Sequence, residues 1–178
     1  DISFTINAIQ AGIAPTISVT NITGINNAVG FCDASVTFGL GVNVTITGTP
    51  TPTVVYTIGE TQISSPYTFS VGTTIVTATA TSTSGSDSTK FDVTVSDDEA
   101  PEITATDDIE QTADDRDCGA IVTIIDATAD DNCGVTNLNY IFTGATVGAG
   151  TTLDGVIFNL GTTIVLWVAT DAAGNNTN

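Results

Sequence analysis

Apolar and polar residues alternate with a period of two over much of this chain. Val76, Ala78 and Ala80 interleave with Thr77, Thr79 and Thr81, so a strand there turns an apolar face inward and a threonine face to water. Val165, Trp167 and Ala169 carry the same phase, and Trp167 reads as the aromatic centre of a core. On the opposite face Leu166 and Val168 stand in place of the threonines, which predicts that this outer face is covered by a neighbour. Ala34, Val36 and Phe38, and likewise Ala120, Val122 and Ile124, form further inward sets. Additional strands are expected over residues 17–20, 54–58, 91–95, 103–106 and 137–142. Thr, Val and Ile are plentiful, Met is absent, and Gly, Asn, Asp and Pro recur at short intervals. These are the marks of many short strands joined by turns, and they predict an all-β chain.

The pattern also repeats. Shifting residues 14–48 by 86 positions places Ala14-Pro15 on Ala100-Pro101, Cys32 on Cys118, Val36-Thr37 on Val122-Thr123 and Gly48 on Gly134. At a shift of 89, FSVGTTIV from Phe69 meets FNLGTTIV from Phe158. A period near ninety residues is the size of one small sandwich of about seven strands. The fold predicted is therefore a pair of tandem immunoglobulin-like β-sandwich domains, over residues 14–98 and 99–178, the second lacking its final strand. Residues 1–13 resemble the strand that closes the first repeat and are expected to be the last strand of a preceding one. On this reading the chain is the interior of a longer polypeptide.

Charge narrows the choice of partners. Twenty acidic residues face two basic ones, a net charge of −18, which repels phosphate backbones and anionic lipid. Nucleic acid and direct membrane insertion are accordingly not expected. The acids are unevenly spread: residues 1–96 hold five, residues 97–178 hold fifteen. Three cysteines add a constraint. Cys118 and Cys133 lie in the second repeat, whereas Cys32 matches Cys118 and Thr47 occupies the position of Cys133. A Cys118–Cys133 disulfide and a free, buried Cys32 are expected, in an oxidising extracellular setting; two unpaired buried thiols are the alternative.

In a sandwich of this kind the entry segment and two of the inter-strand loops share one pole. In the second repeat these are residues 97–99, 126–132 and 171–175, each of which brings at least one carboxylate. Like charges gathered there repel unless a cation neutralises them, and oxygen-only donors suit Ca²⁺. A solvated acidic loop cluster is the alternative. In the first repeat the matching segments are residues 10–13, 39–48 and 81–87, with Ser82 standing where Asp171 stands, and no calcium is expected there. The chain has no His, so serine- or cysteine-type triads lack their usual base, and an enzyme is not expected.

The motifs AP-x-I, CGA-x-VT, DNCG, GTT-x-V and ATDAAGN resemble the hyalin-repeat (HYR) family, specifically in residues 100–178 and in degenerate form in residues 14–96. That resemblance implies immunoglobulin-like repeats of a large cell-surface adhesin of Bacteroidetes-type bacteria. It further implies a structural role in a long extracellular filament, supporting cell adhesion and gliding motility. The order of acidic motifs is also similar to that of cadherin repeats, which implies Asp97, Asp98, Asp130, Asp131 and Asp171 as ligands of Ca²⁺ stiffening the domain junction. Implied partners are neighbouring repeats of the same chain, other fibre chains and a surface polysaccharide or protein. A carbohydrate- or protein-binding accessory module of a secreted protein is the alternative function.

Overall fold

The computed structural model describes residue 5, residues 11–113 and residues 118–178. Among them every regular element is a β-strand. The expected strand over residues 1–13 lies outside the described residues, apart from residue 5 and residues 11–13. Chain contacts divide the molecule into two compact units: one comprises the residues up to Asn27 together with Asp33–Ser96, the other Ala28–Cys32 with Asp97–Asn178.

The first unit contains β1 (Ile13–Val19), β2 (Ile22–Asn26), β3 (Asp33–Val36), β4 (Val44–Thr49), β5 (Thr53–Ile58), β6 (Thr61–Ile63), β7 (Tyr67–Ser70), β8 (Gly72–Ser82) and β9 (Gly85–Ser96). A five-stranded sheet runs in the order β2-β9-β8-β5-β6, and β1-β4 and β3-β7 form two-stranded sheets. Alternation decides which faces meet. Val76, Ala78 and Ala80 of β8 and Phe91, Val93 and Val95 of β9 are buried, and they share one apolar core with Ala34, Val36, Phe38, Val44 and Phe69. Sheets packed around a common core are consistent with a β-sandwich. The threonines between the buried residues stay at the surface, where Thr79 and Ser88 exchange a cross-strand hydroxyl hydrogen bond at 3.1 Å.

The second unit contains β10 (Glu102–Thr104), β11 (Gly119–Ile121), β12 (Thr128–Asp130), β13 (Val135–Gly144), β14 (Gly148–Gly150), β15 (Ile157–Asn159), β16 (Thr163–Asp171) and β17 (Asn176–Thr177). Its main sheet is β14-β13-β16-β17, flanked by the pairs β10-β12 and β11-β15. Tyr140 sits opposite Trp167 in the antiparallel register of β13 and β16. Their rings meet edge to face with centroids 5.2 Å apart, and with Phe142, Leu153 and Ala127 they make the core. The Tyr140 hydroxyl donates to the Thr152 carbonyl at 3.0 Å, so its polar end is satisfied inside an apolar cluster. Strand character fades in residues 122–127, where Val122 and Ile124 are only half-buried. On the outer face of the sheet, Leu166 and its cross-strand neighbour Ile141 are 42% and 45% exposed.

One expectation is overturned. Cys133 pairs with Cys32, with Cα atoms 4.9 Å apart across 101 residues of sequence, and Cys118 is an exposed free thiol. The segment Ala28–Cys32 belongs to the second unit, where Gly30 donates its amide to Glu99 at 2.8 Å and Asn132 donates its side-chain amide to the Phe31 carbonyl at 2.9 Å. These contacts hold Cys32 beside Cys133. The half-strand that follows Cys118 runs away to pair with β15, so proximity in sequence counts for nothing.

Candidate metal centre

Asp97, Asp131 and Asp171 come from the three segments whose acids were expected to converge. Asp97 directly follows β9 in sequence, Asp131 directly follows β12, and Asp171 ends β16. One carboxylate oxygen from each lies within 4.8 Å of the others. Asp98 and Asp130 are not members of this group, and both are exposed. The alternation of a short strand explains why: Asp130 precedes Asp131 by one residue and faces the other way.

Each carboxylate is fixed by the local chain. Asp171 caps its own turn. Its Oδ1 accepts the amides of Gly174 at 2.7 Å and Asn175 at 2.9 Å, and its Oδ2 accepts the Asn175 side-chain amide at 2.8 Å. Gly174 has φ +95°, a conformation that favours glycine. The Thr136 hydroxyl donates to the carbonyls of Thr170 and Asp171, at 3.0 and 2.7 Å, and ties this end of β16 to β13. Asp131 makes an Asx turn in which its Oδ1 accepts the Cys133 amide at 2.8 Å. Asp97 accepts the Glu99 amide on Oδ1 at 3.3 Å, and its carbonyl accepts the Asn175 side-chain amide at 3.2 Å.

These bonds leave a specific deficit. Asp97 is 8% exposed and Asp171 3%. The Oδ2 atoms of Asp97 and Asp131 and the Oδ1 of Asn132 are buried without a hydrogen-bond partner. An orphaned buried acceptor costs roughly 1–3 kcal/mol, and more when charged, so several at one place call for a donor or a cation. Among the described residues the second unit contains no Lys, Arg or His.

The proton affinities reflect the same crowding. Burial pushes the Asp97 carboxyl above the ordinary carboxylate range, and the charges of Asp131 and Asp171 add to the rise, while the Glu99 amide and the Asn132 side chain oppose it. Burial would raise Asp171 too, but the hydrogen bonds from the side chain and amide of Asn175 and from the amides of Gly174 and Ala173 outweigh it and hold Asp171 below that range. One acid is thus locked as an anion, and a buried neighbour resists its own charge in the absence of a cation.

The donor set suits a hard divalent cation. Ca²⁺ takes oxygen ligands at about 2.3–2.6 Å, so two of its oxygens stand at most about 4.6–5.2 Å apart, a limit that oxygens within 4.8 Å of one another meet. Carboxylate and amide oxygens, with the nearby sulfur committed to a disulfide, disfavour the softer metals. Sequence reasoning singled out the three carboxylates but not Asn132. Its position inside the run Asp130-Asp131-Asn132-Cys133 was the available signal, since a tight turn brings adjacent side-chain carbonyls together.

No protein-family model and no curated protein matches the chain. Of the aromatics a sugar site would need, Trp167 and Tyr140 are in the core, whereas Tyr67, which packs edge to face on Phe69 with centroids 5.0 Å apart, is exposed.

Proposed function

We propose that the chain is a structural segment of a long extracellular adhesin or surface filament, built from tandem immunoglobulin-like repeats of HYR type. In this reading the second repeat binds Ca²⁺ through Asp97, Asp131 and Asp171. The observation that carries it is the meeting of these three carboxylates at buried, unsatisfied oxygens. A fibre module gains two things from such an ion. It offsets the repulsion at an acidic pole, and it removes backbone freedom at Asp97, the residue that follows Ser96 at the end of β9, where a flexible connection would shorten the reach of the rod. Roles in surface attachment and gliding motility follow from the HYR resemblance. Partners in this reading are adjacent repeats, other fibre chains and a surface polysaccharide or protein.

The test is thermal unfolding of the 178-residue chain with Ca²⁺ and with chelator, beside an Asp131→Ala/Asp171→Ala variant. Ca²⁺ at about a hundred times its Kd stabilises a single-site protein by about 2.7 kcal/mol. The reading expects that stabilisation in the second unit alone and its loss in the variant. Identical melting curves with and without Ca²⁺ would sink the calcium site.

A further inference from the structure

Asn132 has a divided role. Its Nδ2 donates to the Phe31 carbonyl at 2.9 Å and lies 3.7 Å from the Cys133 sulfur. Its Oδ1 is buried and unpartnered, as are the Oδ2 atoms of Asp97 and Asp131. Asp97 is 8% exposed, so this is a buried, unsatisfied acceptor set that asks for a cation. Two of the neighbouring hydrogen bonds run to one covalent feature. Cys133 donates its amide to Asp131, Phe31 orients Asn132, and Cys32, which follows Phe31, is bonded to Cys133. The disulfide therefore closes a short ring through Phe31, Asn132 and the Asp131 turn.

Resting on the calcium reading above, we infer that Asn132 Oδ1 is a fourth oxygen ligand of the ion and that the Cys32–Cys133 disulfide positions it, so that the redox state of this pair sets Ca²⁺ affinity. Reduction by a small dithiol transfers two electrons and two protons: the S–S bond becomes two thiols and the dithiol closes to its cyclic disulfide. The segment Ala28–Cys32 then loses its tether, Phe31 no longer fixes the Asn132 amide, and Asp131 and Asn132 lose their common orientation. Loss of a group that orients a metal ligand costs about 10–100-fold in affinity. Linkage makes the effect reciprocal. If the oxidised form binds Ca²⁺ tenfold better, saturating Ca²⁺ makes the disulfide tenfold harder to reduce, a shift of about 30 mV for two electrons.

The experiment uses the whole chain with Cys118→Ser, which removes the exposed thiol from exchange. Calorimetric Ca²⁺ titration of the oxidised protein is compared with Asn132→Ala and Asn132→Asp. The alanine should lose tenfold or more. The aspartate, which keeps an oxygen but not the donor to Phe31, should retain more affinity than the alanine. The dithiothreitol concentration that half-reduces the disulfide is then measured in Ca²⁺ and in chelator, and it should rise about tenfold with Ca²⁺, a result that holds whether or not reduction also loosens the second unit. Ca²⁺ binding by the oxidised protein with Asn132→Ala unchanged, or with no Ca²⁺ effect on reduction, overturns this inference and leaves the calcium reading standing. Absence of any Ca²⁺ binding by the oxidised protein overturns both.

Discussion

The two units each contain a long antiparallel ladder but differ in their cores. In the first, β8 and β9 pair from Gly72 opposite Val95 to Ser82 opposite Gly85, and among the described residues thirteen buried apolar side chains form one core. In the second, β13 and β16 pair from Val135 opposite Asp171 to Gly144 opposite Thr163, and among the described residues the buried apolar cluster has five members. Charge follows the same division. The pole of the first unit is tied by neutral bonds, such as the Ser84 hydroxyl to the Thr49 carbonyl at 2.9 Å, whereas the second carries three carboxylates and a disulfide. A small core stabilises a domain weakly unless cross-links or ions supplement it. The second unit is therefore expected to be the more conditional of the two, dependent on oxidation and on a cation.

The largest effect expected is from Trp167→Ala. A buried large aromatic lost from a core costs about 3–5 kcal/mol, and here it is the centre of a five-member cluster. Hydrogen–deuterium exchange should show β13 and β16 losing protection while β8 and β9 keep theirs. Equal loss in both would mean that the units unfold as one, and the contrast drawn between them would fall. Reduction of the disulfide comes next, at about 2–4 kcal/mol. Calorimetry should show the drop in the second unit's transition only, and it should be larger in Ca²⁺ than in chelator, because the oxidised form holds the ion more tightly.

Much of the fold was written locally. The alternation of Val76, Ala78 and Ala80 with threonine is a property of adjacent residues, and those three are fully buried in the structure. Trp167 likewise took its place in the core from the phase of its own strand. The three carboxylates could be singled out because each lies at the end of a segment that a sandwich brings to one pole. The cystine could not. The 86-residue shift equates Cys32 with Cys118, and that equivalence hid the looping of Ala28–Cys32 into the second unit. Pairing of distant sulfurs depends on packing between segments, which no spacing rule encodes. Asn132 was passed over for a related reason: its side-chain carbonyl matters only because its amide is taken by Phe31.

Asp97→Asn sharpens the comparison by its sign. Asp97 is buried near two like charges, and unit charges near 4.8 Å repel by about 1 kcal/mol even in a water-like dielectric. Removing this one should raise the stability of the second unit in chelator by roughly 1 kcal/mol and abolish any rise on adding Ca²⁺. Most substitutions of a buried residue destabilise, so a gain without metal coupled to a loss with it is hard to reach by any route except a cation site. Destabilisation in both conditions would assign Asp97 a purely structural role, through its bonds to Glu99 and Asn175.

The smallest effect is expected on the outer faces of the sheets, where the two units also differ. Thr79 is bonded across to Ser88 in the first, and Leu166 lies opposite Ile141 in the second. Both leucine and isoleucine are more than two-fifths exposed. If that face is solvated, Leu166→Thr exchanges one good strand former for another and should change stability by no more than about 0.5 kcal/mol. If the neighbour expected to cover it is a second copy of the chain, the cost should grow with protein concentration, because association adds its free energy to folding. Melting curves of the wild type and of Leu166→Thr at concentrations a hundredfold apart separate these outcomes. A concentration-independent difference leaves Leu166 as an isolated surface leucine, of the kind common on single folded chains. A growing difference makes the β13-β16 face a surface where one copy of the chain meets another.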